Sequence, residues 1–356
     1  MSKALGAMAE GSNQHFVPQF YFRYFSKDGR SINVILRKDG KAIRSASIKG
    51  QASQQYFYGD SYAEKQLAAV DTLHSQALNE VRSAARFNDC SVDAQLCCYQ
   101  NVMLQRTRTV AGRLSGQPMA DRIMQLQLEV LINNDNNLTD DQRHKLLETI
   151  PEMGANEKQV HALHLAEAVR IADTLSDLVP IYLENKTNRP YIFSDAPVVF
   201  INLICRNIIN RGVLGADSQG LMVFYPLSPT RMLMMLDGDA YGIKGRCHSA
   251  KAVRDLRDVA AINKLQLHSA VNSIYFSSES HARYVQELWR QEKGRLSKHA
   301  GIVTEAPGFD QIGESIGDVI HSYQPQLSFM PKLSFLRYQA ISEEQYAHPR
   351  RRSFRA

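Results

Sequence analysis

The apolar pattern of this chain changes near residue 179, and that change constrains the fold more than any other feature. From about residue 60 to 178, apolar residues recur every three or four positions, which predicts a cluster of helices. From about 180 to 278, short apolar runs bounded by Pro, Gly, Asn and Asp predict strands of a mainly antiparallel sheet. A helical part followed by a sheet part is typical of the α+β class.

The individual elements follow from the same patterns. Alternating residues on both sides of the turn signal Lys38-Asp39-Gly40 predict a β-hairpin over 32–36 and 42–48. The predicted helices are about 61–87, 91–114, 119–131, 140–149, 157–178, 253–271 and 279–293. The further predicted strands are 181–184, 191–193, 198–202, 222–226, 232–236 and 274–277.

Three regions are predicted along the chain. Residues 1–13 form a flexible leader, and 14–295 form a single domain in which the N-terminal hairpin and the helix cluster pack on the sheet. Beyond residue 295 the periodicity fades and prolines punctuate the sequence. We therefore expect 296–356 to be an extended tail with one short helix near 309–320.

The formal net charge of +6 is concentrated at the C-terminal end. The last nine residues contain no acid, and the rest of the chain has 38 Lys and Arg residues and 36 Asp and Glu residues. The body is therefore close to neutral, and its charge does not indicate a nucleic-acid-binding surface. The tail is expected to bind nucleic-acid phosphates or an acidic partner through Arg350, Arg351, Arg352 and Arg355.

The cysteines and the apolar runs restrict the compartment and the function class. The five cysteines are odd in number and contain no C-x-x-C pair, which argues against a disulfide framework or a zinc site and favours the cytoplasm. No apolar run is long enough for a signal peptide or a membrane span, so no membrane partner is expected. The absence of P-loop and G-x-G-x-x-G motifs argues against NTP-driven and Rossmann-type redox functions.

The segment His15 to Phe25, HFVPQFYFRYF, carries a family resemblance. It resembles the H-x-V-P-Q-x-Y-L-x-x-F signature of an uncharacterised, mostly bacterial family, domain of unknown function 4238. Further similar segments follow in the family's order, and the resemblance covers about residues 13 to 280. They are Gln105-Arg106-Thr107, Phe193 to Val198, Pro226 to Pro229, and a late helix with Asn263 and Asn272. The resemblance implies fold and domain extent, and no activity comes with it.

His15, Gln19 and Arg23 are the first candidates for chemistry. Imidazole titrates near neutral pH and has a lone pair when neutral, so His15 can act as a general base or a metal ligand. Offsets of four place the three side chains on one face of a strand, although Pro18 also permits a helix that begins there. Such a row suits a ligand-facing edge, and it equally suits a hydrogen-bonded structural anchor.

Asp195 and Glu64 are the candidate carboxylate ligands. With His15 they form the predicted site for a divalent metal, Mg²⁺ or Mn²⁺, because these ions prefer oxygen ligands. Turn capping through backbone N–H groups is the commoner role of an Asp in a segment such as Ser194 to Pro197, and it is the favoured interpretation. Glu64, three residues after Ser61, also fits a capping box at the start of a helix.

Arg106 is the candidate phosphate clamp, because a guanidinium can bind phosphate through two hydrogen bonds. Arg106, Arg108 and Arg113 form a basic stretch on one helix, and a solvated helix face is the commoner interpretation of such a stretch.

A second helix carries four residues at spacings that also occur in metal sites, Glu157, His161, His164 and Glu167. Ion pairs on an exposed face are the favoured account of this pattern, since no second helix offers matching carboxylates.

Two functions remain open. In the first, the chain is a nuclease-like enzyme that hydrolyses nucleic-acid phosphodiesters with a bound metal. The residues of its cleft are His15, Gln19, Arg23, Glu64, Arg106 and Asp195. In the second, the chain is a non-enzymatic module that binds a ligand or a protein, and the His and Asp motifs are structural.

Overall fold

The computed structural model describes residues 13–59, 61–208, 211–245, 249–309, 314–343, 345–346, 350–351 and 353. Its helices and mostly antiparallel sheets confirm the predicted α+β class. The predicted leader, apart from Asn13, lies outside the described residues, as do Arg352 and Arg355. No helix in the described part of the chain is long and apolar enough to cross a membrane.

The N-terminal segment contains four short strands and one short helix. They are β1 (Asn13–His15), α1 (Gln19–Arg23), β2 (Ser31–Leu36), β3 (Ala42–Ser47) and β4 (Ser53–Gln55). The predicted hairpin is confirmed, because β2 and β3 pair antiparallel across the turn at Gly40. Gly40 has a φ of +71°, a left-handed conformation that glycine adopts without a steric penalty.

The helical part begins after this segment. Its helices are α2 (Ser61–Ser83), α3 (Val92–Thr107), α4 (Val110–Asn134), α5 (Asp140–Thr149) and α6 (Glu157–Arg170). The predicted helix 91–114 is wrong at its C-terminal end, because α3 stops at Thr107 and α4 starts at Val110. Thr109 lies between them in an extended conformation, and its side chain caps α4 by accepting a hydrogen bond from the Gly112 N–H at 3.1 Å.

Two sheets form the second part of the fold. The strands and helices are β5 (Val179–Asn185), β6 (Phe193–Ser194), β7 (Val199–Ile201), β8 (Met222–Ser228), β9 (Arg231–Leu236), β10 (Gly242–Ile243), β11 (Ala250–Val253), α7 (Leu256–Ser269), β12 (Ser273–Phe276) and α8 (Ala282–Glu292). One sheet has the order β11-β5-β9-β8-β7, and the other has the order β3-β2-β12-β6. Among the described strands only β11 and β5 pair in parallel, which agrees with the predicted antiparallel character.

The aromatic residues of the HFVPQFYFRYF motif anchor α1 where the two sheets meet. Tyr21 stacks on Tyr225 of β8, with ring centroids 5.2 Å apart and an interplanar angle of 5°. Phe22 packs edge-on against Phe193 of β6 and Tyr275 of β12, at 5.2 and 4.8 Å. All five rings are almost completely buried. This packing fixes the orientation of α1, and therefore the direction in which its polar residues point.

The segment after residue 295 contains a hairpin where a short helix near 309–320 was predicted. Its strands β13 (Ile302–Phe309) and β14 (Ser315–Tyr323) pair antiparallel, and β15 (Leu336–Arg337) pairs with β10. Both strands are rich in β-branched residues, which favour extended backbone over helix. Leu333 and Phe335 are buried in the main core cluster, so this segment packs on the body. The domain boundary at 295 stays a prediction.

Candidate functional site

Pro18, whose ring fixes its φ, starts a helix, so the polar residues Gln19 and Arg23 of the motif lie on a helix rather than on a strand. β1 ends at His15, and Pro18, with a φ of −63°, is the N-cap of α1. The prediction of one strand face was therefore wrong, and the alternative of a helix that begins at Pro18 is correct. Gln19 and Arg23 are four residues apart in this helix, so they still lie on one face.

A groove of about 490 Å³ brings four of the six predicted site residues together. We call it the motif groove and define it by six of its polar lining residues, which come from β1, α1, α2 and the end of α3. They are His15, Gln19, Arg23, Glu64, Asp71 and Arg108.

A buried ion pair forms one wall of the motif groove. The Arg108 side chain is 2% exposed, and its Nη1 lies 2.5 Å from Oδ1 of Asp71, whose side chain is 19% exposed. Nη2 donates to the other carboxylate oxygen at 3.3 Å and to the backbone carbonyl of His15 at 3.0 Å. Nε donates to the Tyr58 hydroxyl at 3.2 Å. Burial opposes the charge, but Tyr58 and Asp71 together outweigh it and raise the pKa of Arg108.

Other hydrogen bonds hold the backbone of the motif in place. Gln105 Nε2 donates to the carbonyl of Phe16 at 2.9 Å, and the N–H of Tyr58 donates to Gln14 Oε1 at 2.6 Å. Gln105 and Arg108 therefore position the motif from the end of α3. The prediction of a solvated face was wrong for Arg108. Arg108 follows Leu104 by four residues and donates its backbone N–H to the Leu104 carbonyl at 2.8 Å, so the two lie on one helix face, and the apolar Leu104 was the signal available in the sequence.

The imidazole of His15 presents an unprotonated nitrogen. Its Nε2 lies 3.1 Å from the carbonyl of Lys49, which can only accept, so Nε2 carries the proton of the neutral ring. Burial lowers the pKa of His15, the Lys49 carbonyl opposes this shift, and Arg108 adds to it. The ring is therefore neutral at pH 7, and Nδ1 has a lone pair with no hydrogen-bond partner among the described residues.

The remaining polar side chains of the motif groove are also unpaired. The side chains of Gln19, Arg23 and Glu64 make no hydrogen bond or ion pair to any residue in the described ranges. Burial raises the pKa of Glu64, while Arg108 lowers it and Asp71 raises it. The predicted capping box cannot be checked, because the Ser61 side chain lies outside the described part. A structural anchor would have partners for the half-buried Gln19 and Glu64, so the ligand-facing alternative fits better.

Asp195 lies outside the motif groove and caps a turn. Its Oδ1 accepts from the N–H of Val271 at 2.9 Å, and its Oδ2 accepts from the N–H of Asn272 at 2.7 Å. Burial raises the pKa of Asp195 to about 6, and these backbone hydrogen bonds oppose the shift. Asp195 is 2% exposed. The structure therefore gives Asp195 the capping role and not a position beside His15 and Glu64.

The predicted metal ligands do not assemble. Among the described residues, no group of three or more His, Cys, Asp or Glu side chains is arranged to hold a metal ion. Both oxygens of Asp195 are already used, and Asp71 is paired with Arg108. The proposed set of His15, Glu64 and Asp195 thus does not fit a metal, and the divalent cation stays a prediction.

Arg106 faces a different cavity from Arg108. Its guanidinium stacks on Phe200, with 4.1 Å between Cζ and the ring centroid, and donates to Oε1 of Gln324.

The helix 157–167 pattern also differs from its prediction. His161 is buried, and its Nε2 lies 3.0 Å from the carbonyl of Thr107, so it is not part of an exposed ion-pair face.

The described tail arginines contact the body of the protein. Arg351 is 2% exposed, its Nε donates to both oxygens of Asp177 at 2.8 and 2.9 Å, and its Nη1 donates to the Ala216 carbonyl at 2.7 Å. Arg350 pairs with Asp217 at 3.1 Å and stays largely exposed. The expected binding of nucleic acid by Arg351 does not fit its burial, because a buried guanidinium cannot reach a phosphate backbone.

A family model matches most of the chain. Its description is Protein of unknown function (DUF4238), and it matches residues 13–280, which include every residue of the motif groove. No curated protein and no solved structure matches the chain. The match confirms the resemblance seen in the motifs.

Proposed function

The chain belongs to this family of unknown function, and we propose that its motif groove binds a small phosphate-bearing ligand, of which a nucleotide is the simplest example. The observation that carries the proposal is the set of unpaired polar groups in one groove. Gln19 and Glu64 are half-buried, and polar groups in such positions normally have partners; their lack of partners among the described residues, beside the exposed Arg23, is typical of a ligand site.

Arg23 is the group that would bind the phosphate. It is exposed at the end of α1 and makes no ion pair with a described residue. A guanidinium offers a planar fork that matches two phosphate oxygens. Gln19 lies one helical turn away and adds an amide donor.

Glu64 implies that the ligand also carries a hydrogen-bond donor or a positive charge. A carboxylate in a partly dry groove needs a hydroxyl, an amino group or a cation as a partner. Arg23 and Glu64 balance each other, and Arg108 and Asp71 form a second balanced pair. A groove of this charge favours a small ligand with both an anionic group and a donor, such as a nucleotide, over a long polyanion.

Calorimetric titration of the full chain with AMP, CMP, GMP and UMP tests the proposal. We expect at least one nucleotide to bind, and Arg23→Gln to weaken that binding by about ten-fold, a loss of about 1.4 kcal/mol. Arg30→Gln is the matched control, since Arg30 is exposed in the same segment but does not line the groove. If no nucleotide binds, or if both variants behave alike, the proposal is wrong.

Phosphodiester hydrolysis is the second candidate, and the lone pair on His15 Nδ1 favours it. In this scheme Nδ1 takes a proton from water as the water oxygen bonds to phosphorus. The bond from phosphorus to the leaving oxygen breaks, and that oxygen takes a proton from the carboxylic acid form of Glu64; burial raises the pKa of Glu64, which increases the fraction in that form. The Mg²⁺ or Mn²⁺ requirement predicted from the sequence and a nucleic-acid substrate belong to this candidate.

Incubation with a dinucleotide, in EDTA or with Mg²⁺ or Mn²⁺, separates the two candidates. We expect His15→Gln to lower turnover by about 100-fold or more while nucleotide binding changes little. Absence of products from the wild-type chain under all three conditions excludes hydrolysis and leaves binding. Turnover in EDTA excludes the metal requirement.

Cytoplasmic location is part of the same proposal and rests on the cysteine pattern.

A further inference from the structure

A second cavity of the fold contains a cation that has no acidic partner among the described residues. This cavity, which we call the Arg106 cavity, has a volume of about 240 Å³ and shares no lining residue with the motif groove. It lies where the ends of α3 and α4 meet α6 and the chain that follows α8. Its polar lining includes Arg106, Ser115, His164, Glu167, His299 and Gln324.

The charge of Arg106 is not neutralised within the described part of the protein. Its contacts there are the Phe200 ring and the neutral amide of Gln324. Glu167 lines the cavity, but both of its oxygens accept from Arg170, at 2.6 and 2.7 Å. Burial, with no acid to offset it, lowers the pKa of Arg106 to about 10. A partly buried cation in this state gains from an anion that enters beside it.

Uncharged donors line the same cavity as this cation. His164 and the hydroxyl of Ser115 make no hydrogen bond to a described residue, and each can donate to an oxygen atom. Burial lowers the pKa of His164 and also that of His299, so both rings are neutral at pH 7. Nε2 of His299 donates to the carbonyl of Ala270 at 2.9 Å, which leaves its Nδ1 to accept from a protonated oxygen.

The α4 helix adds a favourable field. Its N-cap Thr109 and Gly112 of its first turn line the cavity, and a helix of 25 residues carries partial positive charge at this end. The volume is below the range of about 300–1,000 Å³ that is usual for drug-sized ligands, so a small ion suits it better than a nucleotide.

We propose that the Arg106 cavity binds a small oxyanion, phosphate or a carboxylate, through the Arg106 guanidinium with His164 and Ser115 as further donors. This site is separate from the motif groove and does not depend on the function proposed for that groove.

Titration of the full chain with inorganic phosphate at constant ionic strength tests the site. We expect saturable shifts of the His164 and His299 imidazole signals in NMR spectra, and saturable heat in calorimetry. Arg106→Gln should weaken binding by about ten-fold or more, the factor that corresponds to about 1.4 kcal/mol. Acetate in a second arm distinguishes the two anions, because the ion that binds more tightly at Arg106 identifies the preferred chemistry.

Two controls keep the result specific. Arg206→Gln removes the same charge from an exposed position outside the cavity, and Arg23→Gln removes a charge from the motif groove. We expect both to bind phosphate at the Arg106 cavity as the wild type does. Equal binding by Arg106→Gln, or imidazole signals that do not move saturably with either anion, overturns the proposal. If Arg106→Gln fails to fold, the imidazole titration of the wild-type chain decides the outcome.

Discussion

The ion pair between Arg108 and Asp71 should be one of the costliest contacts in the protein to break. Asp71→Asn leaves the guanidinium, 2% exposed, without the acid that neutralises it. Removing one partner of a buried pair costs about 3–5 kcal/mol. The Asp71 side chain is 19% exposed, so water compensates in part, and we expect a loss of about 3 kcal/mol in the free energy of unfolding.

Arg108→Met supplies the second corner of a double-mutant cycle. It removes the ion pair together with the hydrogen bonds to the His15 carbonyl and the Tyr58 hydroxyl. The double variant Arg108→Met with Asp71→Asn should lose less than the sum of the single variants, because it leaves no unpaired charge. We expect a coupling free energy of about 2 kcal/mol, within the range for residues in direct contact.

Urea unfolding at pH 7, followed by circular dichroism, measures all four corners of the cycle. Glu287→Gln is the control, because it breaks the exposed pair with Arg290 and should leave the unfolding midpoint nearly unchanged. A loss below about 0.5 kcal/mol for Asp71→Asn, the range of ordinary surface changes, would refute the inference that this pair holds the motif groove together.

Three further predictions address the capped turn, the tail and the hairpin. The pKa of Asp195 rises from its ordinary 3.8 to about 6 on folding, so the native state binds the extra proton between pH 4 and 6. The protonated Asp195 therefore contributes to stability fully below about pH 4, and this contribution is lost as the pH rises to about 6. The free energy of unfolding in urea, wild type minus Asp195→Asn, should fall by up to about 3 kcal/mol across that window. A difference that stays constant with pH contradicts the shift. Arg351→Gln should lower the free energy of unfolding by about 3 kcal/mol, because it leaves Asp177 without its buried partner, and an unchanged value would show that the tail does not dock. Gly40→Ala should cost about 1–3 kcal/mol more than Gly29→Ala in the same assay, since both glycines have a φ of +71° but only at Gly40 would the new Cβ overlap the Trp289 ring; equal costs would contradict the overlap.

The elements that the sequence predicts well are those whose signals are local. The helix 140–149 was predicted to the residue, and its capping box between Thr139 and Gln142 is a local signal. The hairpin at Gly40 was also predicted from a local signal, the turn residues Lys38-Asp39-Gly40. The break between α3 and α4 was not predicted, because Arg108 and Thr109 are both acceptable in a helix by propensity alone. Hydrogen bonds to β1 and α2, distant in sequence, fix Arg108 at the break.

The candidate site divides in the same way. His15, Gln19 and Arg23 come together because they are close in sequence, although the prediction placed them on the wrong element. Glu64 joins them through the packing of α2 against the motif, and the sequence offered only its residue type. Asp71 was not predicted as a site residue, because a single acid in an amphipathic helix is usually interpreted as a solvent-exposed charge when its partner is unknown. Asp195 was separated from the groove by long-range topology that no spacing rule contains.

The end of α3 explains why two sites lie so close together along the chain and yet do not meet. Successive residues of a helix are rotated by about 100°, so Gln105 and Arg108, three positions apart, project to similar sides of this turn, while Arg106 projects away from both. Gln105 reaches the Phe16 carbonyl and Arg108 reaches the His15 carbonyl, while Arg106 turns to Phe200. The end of α3 therefore supports the motif groove on one side, through Gln105 and Arg108, and lines the Arg106 cavity on the other.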